Sequence, residues 1–292
     1  MNLTQMEVLV AIVETGSIIE AAEVVGLTQS AVSHSLKRLE TELGVQLIER
    51  ERSNMTITRI GEDVLQHART ILNQIELIHQ KTAHERGLSV GKLRLGIIPN
   101  IPAYILTGIL RDFQHKYPQI EVILFEGNAR ELRDWLAQDV IDIGAVILRE
   151  RYRVLVSLVT SSIYIVISED HPLAQEPVLP LESLENEVLI GPQAEYETFA
   201  LLPEMQKITL PRSRYEVSAY NTIFSMVREG MGIAMMPSMM VDPNAEGIVA
   251  LPTDPPLALQ AYLASNTDSP AATVFMNMAH RWANEQGILT ED

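Results

Sequence analysis

The sequence predicts an α+β chain of more than one domain: a cluster of short helices at the N-terminus, one long connecting helix, and a remainder in which strand and helix alternate. Three observations predict it. Up to Gly44, apolar residues recur at helical spacing in short runs punctuated by Gly16, Gly26 and Gly44. From Val64 to Ile78 they fall four, three, four and three apart. From Lys92 onward, β-rich runs such as KLRLGII and IEVILFE alternate with helical patterns. With 292 residues, 47% of them hydrophobic, the chain is long enough for two domains or a two-lobed one with buried cores.

Residues 3–15 read as a first helix with Met6, Leu9, Val10 and Val13 inward, stopped at Gly16–Ser17. Ser17 caps a second helix, 18–25, whose Ala21 and Ala22 let a neighbour approach closely. After the turn at Gly26–Leu27, Thr28 is placed as N-cap of a third helix. That helix has two faces: Val32, Leu36 and Leu39 inward, and Gln29, Ser30, Ser33, His34 and Lys37 outward. An outward face poor in apolar groups and rich in groups that hydrogen-bond a base edge or a phosphate is what a helix in a DNA major groove requires. Gly44 ends the pattern. Residues 46–48 and 55–57 flank a polar turn, 51–54, and read as a hairpin wing whose Arg50 and Arg52 reach a phosphate or enter the minor groove. A solvated charged loop is the alternative reading.

The run AAEVVGLTQSAVSHSLKRLETELGVQLIERERSNMTITRIGE closely resembles the N-terminal domain of the LysR-type transcriptional regulators, through QSAVS, LE, ELG, an ER pair and TRIGE in that order. The resemblance implies a winged helix-turn-helix domain over 1–60 that reads double-stranded DNA. Its contact residues would be Thr28, Gln29, Ser30, Ser33, His34, Lys37, Arg38, Arg50, Arg52 and Ser53. At the position of His34 family members often carry arginine, so here the charge can titrate.

The net charge of −16 runs against a DNA binder until it is located. Up to Gly91 there are 8 basic and 12 acidic residues, and after it 14 and 26. Between Leu27 and Ile60, Lys37, Arg38, Arg50, Arg52 and Arg59 stand against Glu40, Glu42, Glu49 and Glu51. Binding by such a surface relies on a few placed cations and is strongly salt-dependent. The acidic bulk discourages loose coating of DNA, which favours a specific-site reader over an architectural protein. No apolar run approaches the ~18–20 residues of a membrane span, no secretory signature opens the chain, and there is no cysteine for a disulfide, thiol sensor or Cys-based zinc site. A cytosolic location is expected.

Val64, Ala68, Ile71, Ile75 and Ile78 form a coiled-coil-like seam on a helix over 61–87, widened by Leu65 and Leu72. A lone helix cannot bury such a seam, so either a second copy covers it or the helix packs on its own domain. The family resemblance implies the former: a homodimer that presents two reading helices to half-sites about one DNA turn apart, pairing further into a homotetramer. Gly87, Ser89 and Gly91 mark a hinge at 88–91.

Over 92–292, a strand at 92–98, a helix at 102–116, a strand at 120–126, a helix at 128–138 and a strand at 141–148 predict a mostly parallel sheet with right-handed crossovers. A second set follows: the run LVSLVTSSIYIVIS, a helix over 195–206, a strand near 215–218, and TIFSMVREGMGIAMMP, where Gly230 and Gly232 turn a helix into a buried strand. HPLA and VREGMGIAMMP resemble the effector-binding domain of the same family, which is similar to periplasmic binding proteins. The resemblance implies two α/β lobes with a ligand cleft between them: lobe I over 92–160 and 264–292, lobe II over 161–263, and 271–284 as a closing helix on lobe I.

In open α/β sheets, ligands bind beyond strand ends, where loops feed helix N-termini. Four loops meet that condition: Pro99–Asn100–Ile101, Gly127–Asn128–Ala129, Gly191–Pro192–Gln193–Ala194 and Tyr220–Asn221–Thr222. Candidate effector contacts are therefore Asn100, Ile101, Asn128, Gln193, Ala194, Asn221 and Thr222, although each loop reads equally as an ordinary capped turn. In the first, Asn100–Ile101 replace a serine or threonine frequent in the family and Pro102 removes a donor, which puts the usual grip on a carboxylate in doubt. Arg149, Arg151 and Arg153 form an anion site or, as the plainer reading, a solvated charge run.

No G-x-S-x-G, G-x-x-x-x-G-K-[ST] or H-E-x-x-H occurs, GMG at Gly230–Gly232 lacks the third glycine of a dinucleotide fingerprint, and the 7 histidines are scattered. An enzyme is not expected, nor a metal or cofactor. A solute-binding protein would suit the C-terminal part, but a DNA-reading domain stands where a secretory signal would. The expectation is a transcriptional regulator that binds double-stranded DNA and itself, answers to a small-molecule effector and, by bending DNA, acts on RNA polymerase.

Overall fold

The computed structural model describes residues 1–51, 54–86, 90–98, 101–147, 152–242 and 245–289. Three helices, α1 (Leu3–Thr15), α2 (Ile18–Val25) and α3 (Gln29–Leu43), form where the local signals lie. Each begins at a side chain that accepts first-turn N–H groups, from Asn2, Ser17 and Thr28 respectively. Each ends at a glycine in the left-handed region, Gly16, Gly26 and Gly44. Leu9, Ile12, Ala21, Val32, Leu36 and Leu39 share one core. Within α1, Val8 and Ile12 are fully buried, whereas Val10 and Val13 are only partly covered at its edge. Neighbours on several sides of α1 turn a wider arc of it inward than a single stripe.

Strands β1 (Ile48–Glu51) and β2 (Asn54–Ile57) pair antiparallel, with Ile48 opposite Ile57. The hairpin thus extends into the polar stretch read as turn, up to residues 52–53. Glu40 Oε1 accepts from the N–H groups of Leu47 (2.9 Å) and Ile48 (3.2 Å), which ties the hairpin to α3. The long helix α4 (Arg59–Glu85) starts before residue 61, because Thr58 Oγ1 accepts from Gly61 N–H at 3.0 Å and caps it. A Cβ at Gly61 would lie 2.3 Å from Leu47 O, so α4 meets the hairpin this closely only through glycine.

The first lobe is built by β3 (Gly91–Ile97), α5 (Ala103–Lys116), β4 (Ile120–Glu126), α6 (Ala129–Ala137) and β5 (Ile143–Val146). There β3 lies parallel to both β4 and β5, as repeated β-α-β order requires. The chain continues through β6 (Val154–Ser168), the two-residue β7 (Leu179–Pro180), α7 (Gln193–Phe199), α8 (Tyr220–Arg228), β8 (Ala234–Pro237), β9 (Ile248–Leu251), β10 (Thr253–Asp254), β11 (Leu257–Ser265) and α9 (Pro270–Glu285). One seven-stranded sheet runs β4-β3-β5-β11-β6-β8, with β9 also on β6. The sheet is mixed, not mostly parallel: β11 is antiparallel to β5 and β6, and β6 to β8 and β9. The reason is that β6 and β11 carry the chain out of the first lobe and back, and strands traversing in opposite senses pair antiparallel.

Leu158 and Val159 of β6 pack with Ala261 and Leu263 of β11 in the core that holds Phe113 and Phe275. Ile163 and Ile165 pack with Leu257 and Leu259 in the second lobe's core. The chain therefore changes cores between Val159 and Ile163 going out and between Leu259 and Ala261 returning. Phe113 meets Phe275 edge-on at 4.9 Å between ring centroids, joining α5 to α9. In the second lobe, the helix expected over 195–206 stops at Phe199, and Pro203–Lys207 form a 3-10 turn. Pro203 has no N–H to continue an α-helical ladder. The strand expected near 215–218 reduces to one bridge between Tyr215 and Ile190.

Candidate nucleic-acid interface and inter-lobe cavity

The outward face of α3 stays in solvent: Thr28, Gln29, Ser30, His34, Lys37 and Arg38 are exposed and Ser33 is half-buried. Opposite them Val32, Leu36 and Leu39 are buried, so core packing fixes which side chains the helix presents. Thr28 Oγ1 accepts from Ala31 N–H at 3.2 Å and lies 3.1 Å from Ser30 Oγ, which commits it to the helix start. One turn on from Arg38, the Glu42 carboxyl is held below its ordinary range, foremost by a hydrogen bond from the Met1 amino group, with the charges of that group and of Arg38 adding. Part of the Arg38 charge is thereby offset. Arg52, Ser53 and the side chain of Arg50 lie outside the described residues.

Helix α4 joins this face to the first lobe. Leu65 is buried in the N-terminal core and Arg69 reaches Glu14 at 3.4 Å. Farther along, Thr70 Oγ1 donates to Asp139 Oδ2 (3.0 Å), and the Asp139 carbonyl accepts from Asn73 (2.8 Å) and Arg94 (2.9 Å). Gln80 donates to the Lys92 carbonyl (3.0 Å) and accepts from Ser269 Oγ (2.5 Å). Lys81 and Arg153 both reach Asp268, at 2.9 and 3.2 Å. That carboxyl is held below its ordinary range, first by the hydrogen bond from Lys81 and then by the Arg153 charge. Arg153 thus serves a carboxylate of its own chain, and Arg149 and Arg151 lie outside the described residues, as do residues 88 and 89 of the expected hinge.

The expected seam divides. Val64 is half-buried and Ala68 buried within the protomer, Ile75 is half-buried, and Ile71 and Ile78 keep 39% and 60% of their surface exposed. Wound at helical spacing, these isoleucines face away from Asn73 and Gln80.

Between the lobes lies a cavity of about 140 Å³. Ile101, Asn128, Ala129, Pro192 and Tyr220 are in its walls, so each of the four loops reaches it or adjoins it. Of the expected contacts, Ile101 and Asn128 line the cavity, and others do not. Gln193 is not in the wall; its Oε1 accepts from Ser213 N–H at 2.9 Å. Asn221 and Thr222 are exposed and outside the wall, where Tyr220 stands instead. Asn128 Oδ1 accepts from Arg130 and Glu131 N–H, both at 3.0 Å, so it serves as the cap of α6. Asn100 and the side chain of Ala194 lie outside the described residues.

Sequence reasoning missed Glu195, Phe199 and Met239, which also line the wall. No spacing marks them. Burial and the neighbouring charge of Glu195 push the Tyr220 hydroxyl far above its ordinary range. Among the described residues, no group of His, Asp or Glu is placed to hold a metal ion, and no helix is long and apolar enough to cross a membrane.

An exposed polar helix on a winged scaffold, joined by a long helix to two lobes around a small cavity, defines a DNA-binding regulator with a ligand-binding domain. Residues 3–62 match the model of the bacterial regulatory helix-turn-helix proteins of the lysR family, and residues 86–284 that of the LysR substrate binding domain. The chain belongs to the LysR family of DNA-binding transcriptional regulators. It is 33% identical over 285 residues to the HTH-type transcriptional regulator YvbU of Bacillus subtilis, covering 96% of this chain and 98% of that one. The regulator LrrA of Synechococcus elongatus is 31% identical over 295 residues, covering 98% of each. Among solved structures, a full-length OxyR of Pseudomonas aeruginosa with one cysteine substituted aligns at a TM-score of 0.77 and 23% identity, covering 97% of this chain and 95% of that one. Full-length CbnR in complex with its target DNA aligns at 0.62 and 20% identity, covering 97% and 100%. At these identities the structures speak for the fold alone.

Proposed function

We propose that this regulator acts as a homodimer, assembling further into a tetramer, that places two α3 helices in successive major grooves of an interrupted inverted repeat. A small molecule held between the lobes shifts the arrangement of the paired reading heads, and so DNA bending and the engagement of RNA polymerase. The observation that carries this reading is the division of labour along α4. Its polar side is fastened to the first lobe through Asn73 and Gln80, while Ile71 and Ile78 face solvent on the other. A rod so held transmits a change in the lobes to the DNA-reading end, provided the ligand favours one arrangement over the other.

The chain carries no catalytic role in this reading and works in the cytosol. With no cysteine in its 292 residues, it senses through binding and not through thiol oxidation. Gel retardation and footprinting on the DNA upstream of its own gene, with and without candidate metabolites, test the proposal. A footprint over two half-sites whose spacing or bending changes with one metabolite is expected. Retardation that does not distinguish this DNA from random duplex at moderate salt would rule the reading out.

A further inference from the structure

We infer that pH tunes the DNA affinity of this regulator through His34, whose protonated imidazole contacts a backbone phosphate once in each half-site. This rests on the reading that a dimer lays one α3 helix in each of two major grooves. His34 is the one histidine in residues 1–60, and it is exposed on the polar side of α3. At helical spacing it shares a stripe with Ser30, Lys37 and Thr41, and Val32, Leu36 and Leu39 are buried on the other side.

A surface groove at His34 runs toward the C-terminal end of α3 and is lined by Lys37, Arg38, Thr41 and Glu42. A recognition helix meets base edges chiefly through its N-terminal residues, so a groove beyond them faces the DNA backbone. Lys37 and Arg38 stand one turn from the ring. Glu42, two turns on, is bonded by the Met1 amino group and lies near Arg38. Glu40 is turned to the hairpin, where it accepts from Leu47 and Ile48. Helices α1 and α2 pack on α3 from its buried side, and their carboxylates, Glu7, Glu14, Glu20 and Glu23, do not line the groove, nor does Glu49 of β1. A phosphate entering there favours the charged form of the ring.

The charge of that ring counts because the permanent charges between Leu27 and Ile60 nearly cancel, five basic against four acidic, in a chain of net charge −16. Histidine ordinarily titrates near about 6.5, where neither carboxylates nor lysines ordinarily change charge. One phosphate contact adds about 0.9 to the salt slope, roughly a ten-fold gain in affinity at about 0.1 M salt. A dimer makes the contact twice. Since the protonated form binds more tightly, protons are taken up on binding and affinity falls as pH rises.

Fluorescence anisotropy of the full chain on two labelled duplexes, the DNA upstream of its own gene and a random sequence, tests this across pH and salt. At about 0.1 M salt the parent is expected to bind at least about ten-fold more tightly at about pH 6 than at about pH 8, with a salt slope steeper by up to about 2. The random duplex follows the same trend, because phosphates carry no sequence. In His34→Gln the affinities at the two pH values agree within about two-fold and the slopes coincide. His34→Arg, charged throughout, tightens binding at about pH 8 by at least about ten-fold, a comparison that needs no acidification. A pH effect that persists in His34→Gln, or its absence from the parent, overturns the proton link. A pH effect with an unchanged slope that differs between operator variants puts the ring on a base and overturns the phosphate contact. Should His34→Arg and Lys37→Ala both bind as the parent does at every pH, the placement of α3 in the groove falls instead.

Discussion

Replacing Ile71 and Ile78 together by glutamate tests the self-pairing of α4. In the single chain they keep 39% and 60% of their surface in solvent, so about one isoleucine side chain's worth of area per protomer remains to be buried. At ~1.5–3 kcal/mol for burying such a side chain, two protomers gain about 3–6 kcal/mol on pairing, before any contribution from the half-buried Ile75. Losing that gain weakens dimerisation by roughly 10²- to 10⁴-fold. The new carboxylates, facing one another across a seam, weaken it further. Both positions point outward in the protomer, so its own fold is expected to survive the change. Sedimentation velocity at micromolar concentration should show the parent as a dimer or larger and the variant as a monomer, with near-unchanged circular dichroism. Identical sedimentation would refute the assignment of this stripe to a self-interface. An unfolded variant would show that the stripe belongs to the protomer's own core.

Gln29→Ala and Ser33→Ala are each expected to cost about 1–3 kcal/mol of discrimination at one base position, measured by competition between operator variants; equal losses on every sequence would contradict base readout. Lys37→Ala should weaken all sequences alike and lower the slope of log affinity against log salt by about 1, and an unchanged slope would remove Lys37 from the phosphate contacts. Gly108→Ala places a Cβ 2.3 Å from Trp282 Cζ2, an overpacking worth about 1–3 kcal/mol that thermal unfolding should register; no loss would mean α5 and α9 part easily. The Asp268 carboxyl is held low in the folded chain, so its strap to Lys81 and Arg153 is complete above the ordinary carboxylate range and lost as pH falls through the depressed value. Lying largely in solvent, the strap is worth well under about 1 kcal/mol. Protection of the amides at the end of α4, taken relative to their intrinsic exchange at each pH, should nonetheless fall slightly at acidic pH, and Asp268→Asn should reproduce the fall at neutral pH.

The N-terminal elements were legible because their signals are local. Ser17 and Thr28 cap the helices they precede, Gly16 and Gly44 end them, and the inward set of α3 repeats at helical spacing. The first lobe was legible for the same reason, since each strand is followed at once by the helix that covers it. The second lobe was not. Its strands find partners far along the chain, with Ile165 against both Met235 and Leu251, and such pairings leave no mark at close range. Position at the cavity followed from topology, but chemistry did not: Tyr220, not Asn221, reaches the wall because helical phase decides which neighbour points inward. One signal could have been used. Asn128 with Glu131 three residues on is a capping pair, and it foretold that the Asn128 amide belongs to its own helix.

The two crossings between the lobes are ladder strands and not slack loops. β6 and β11 stay hydrogen-bonded to each other throughout, and their register shifts between Ala261 and Tyr262, beside the point where the chain changes cores. An extra residue of this kind loosens and twists a ladder locally without severing it. The halves of the domain are therefore geared to flex like a bent leaf spring, through small coupled rotations, and a wide-gaping clamshell would have to tear the sheet that joins them. On the proposed reading, a ligand between the lobes would be answered with a short stroke, and the rod of α4 would convert that stroke into displacement at the DNA.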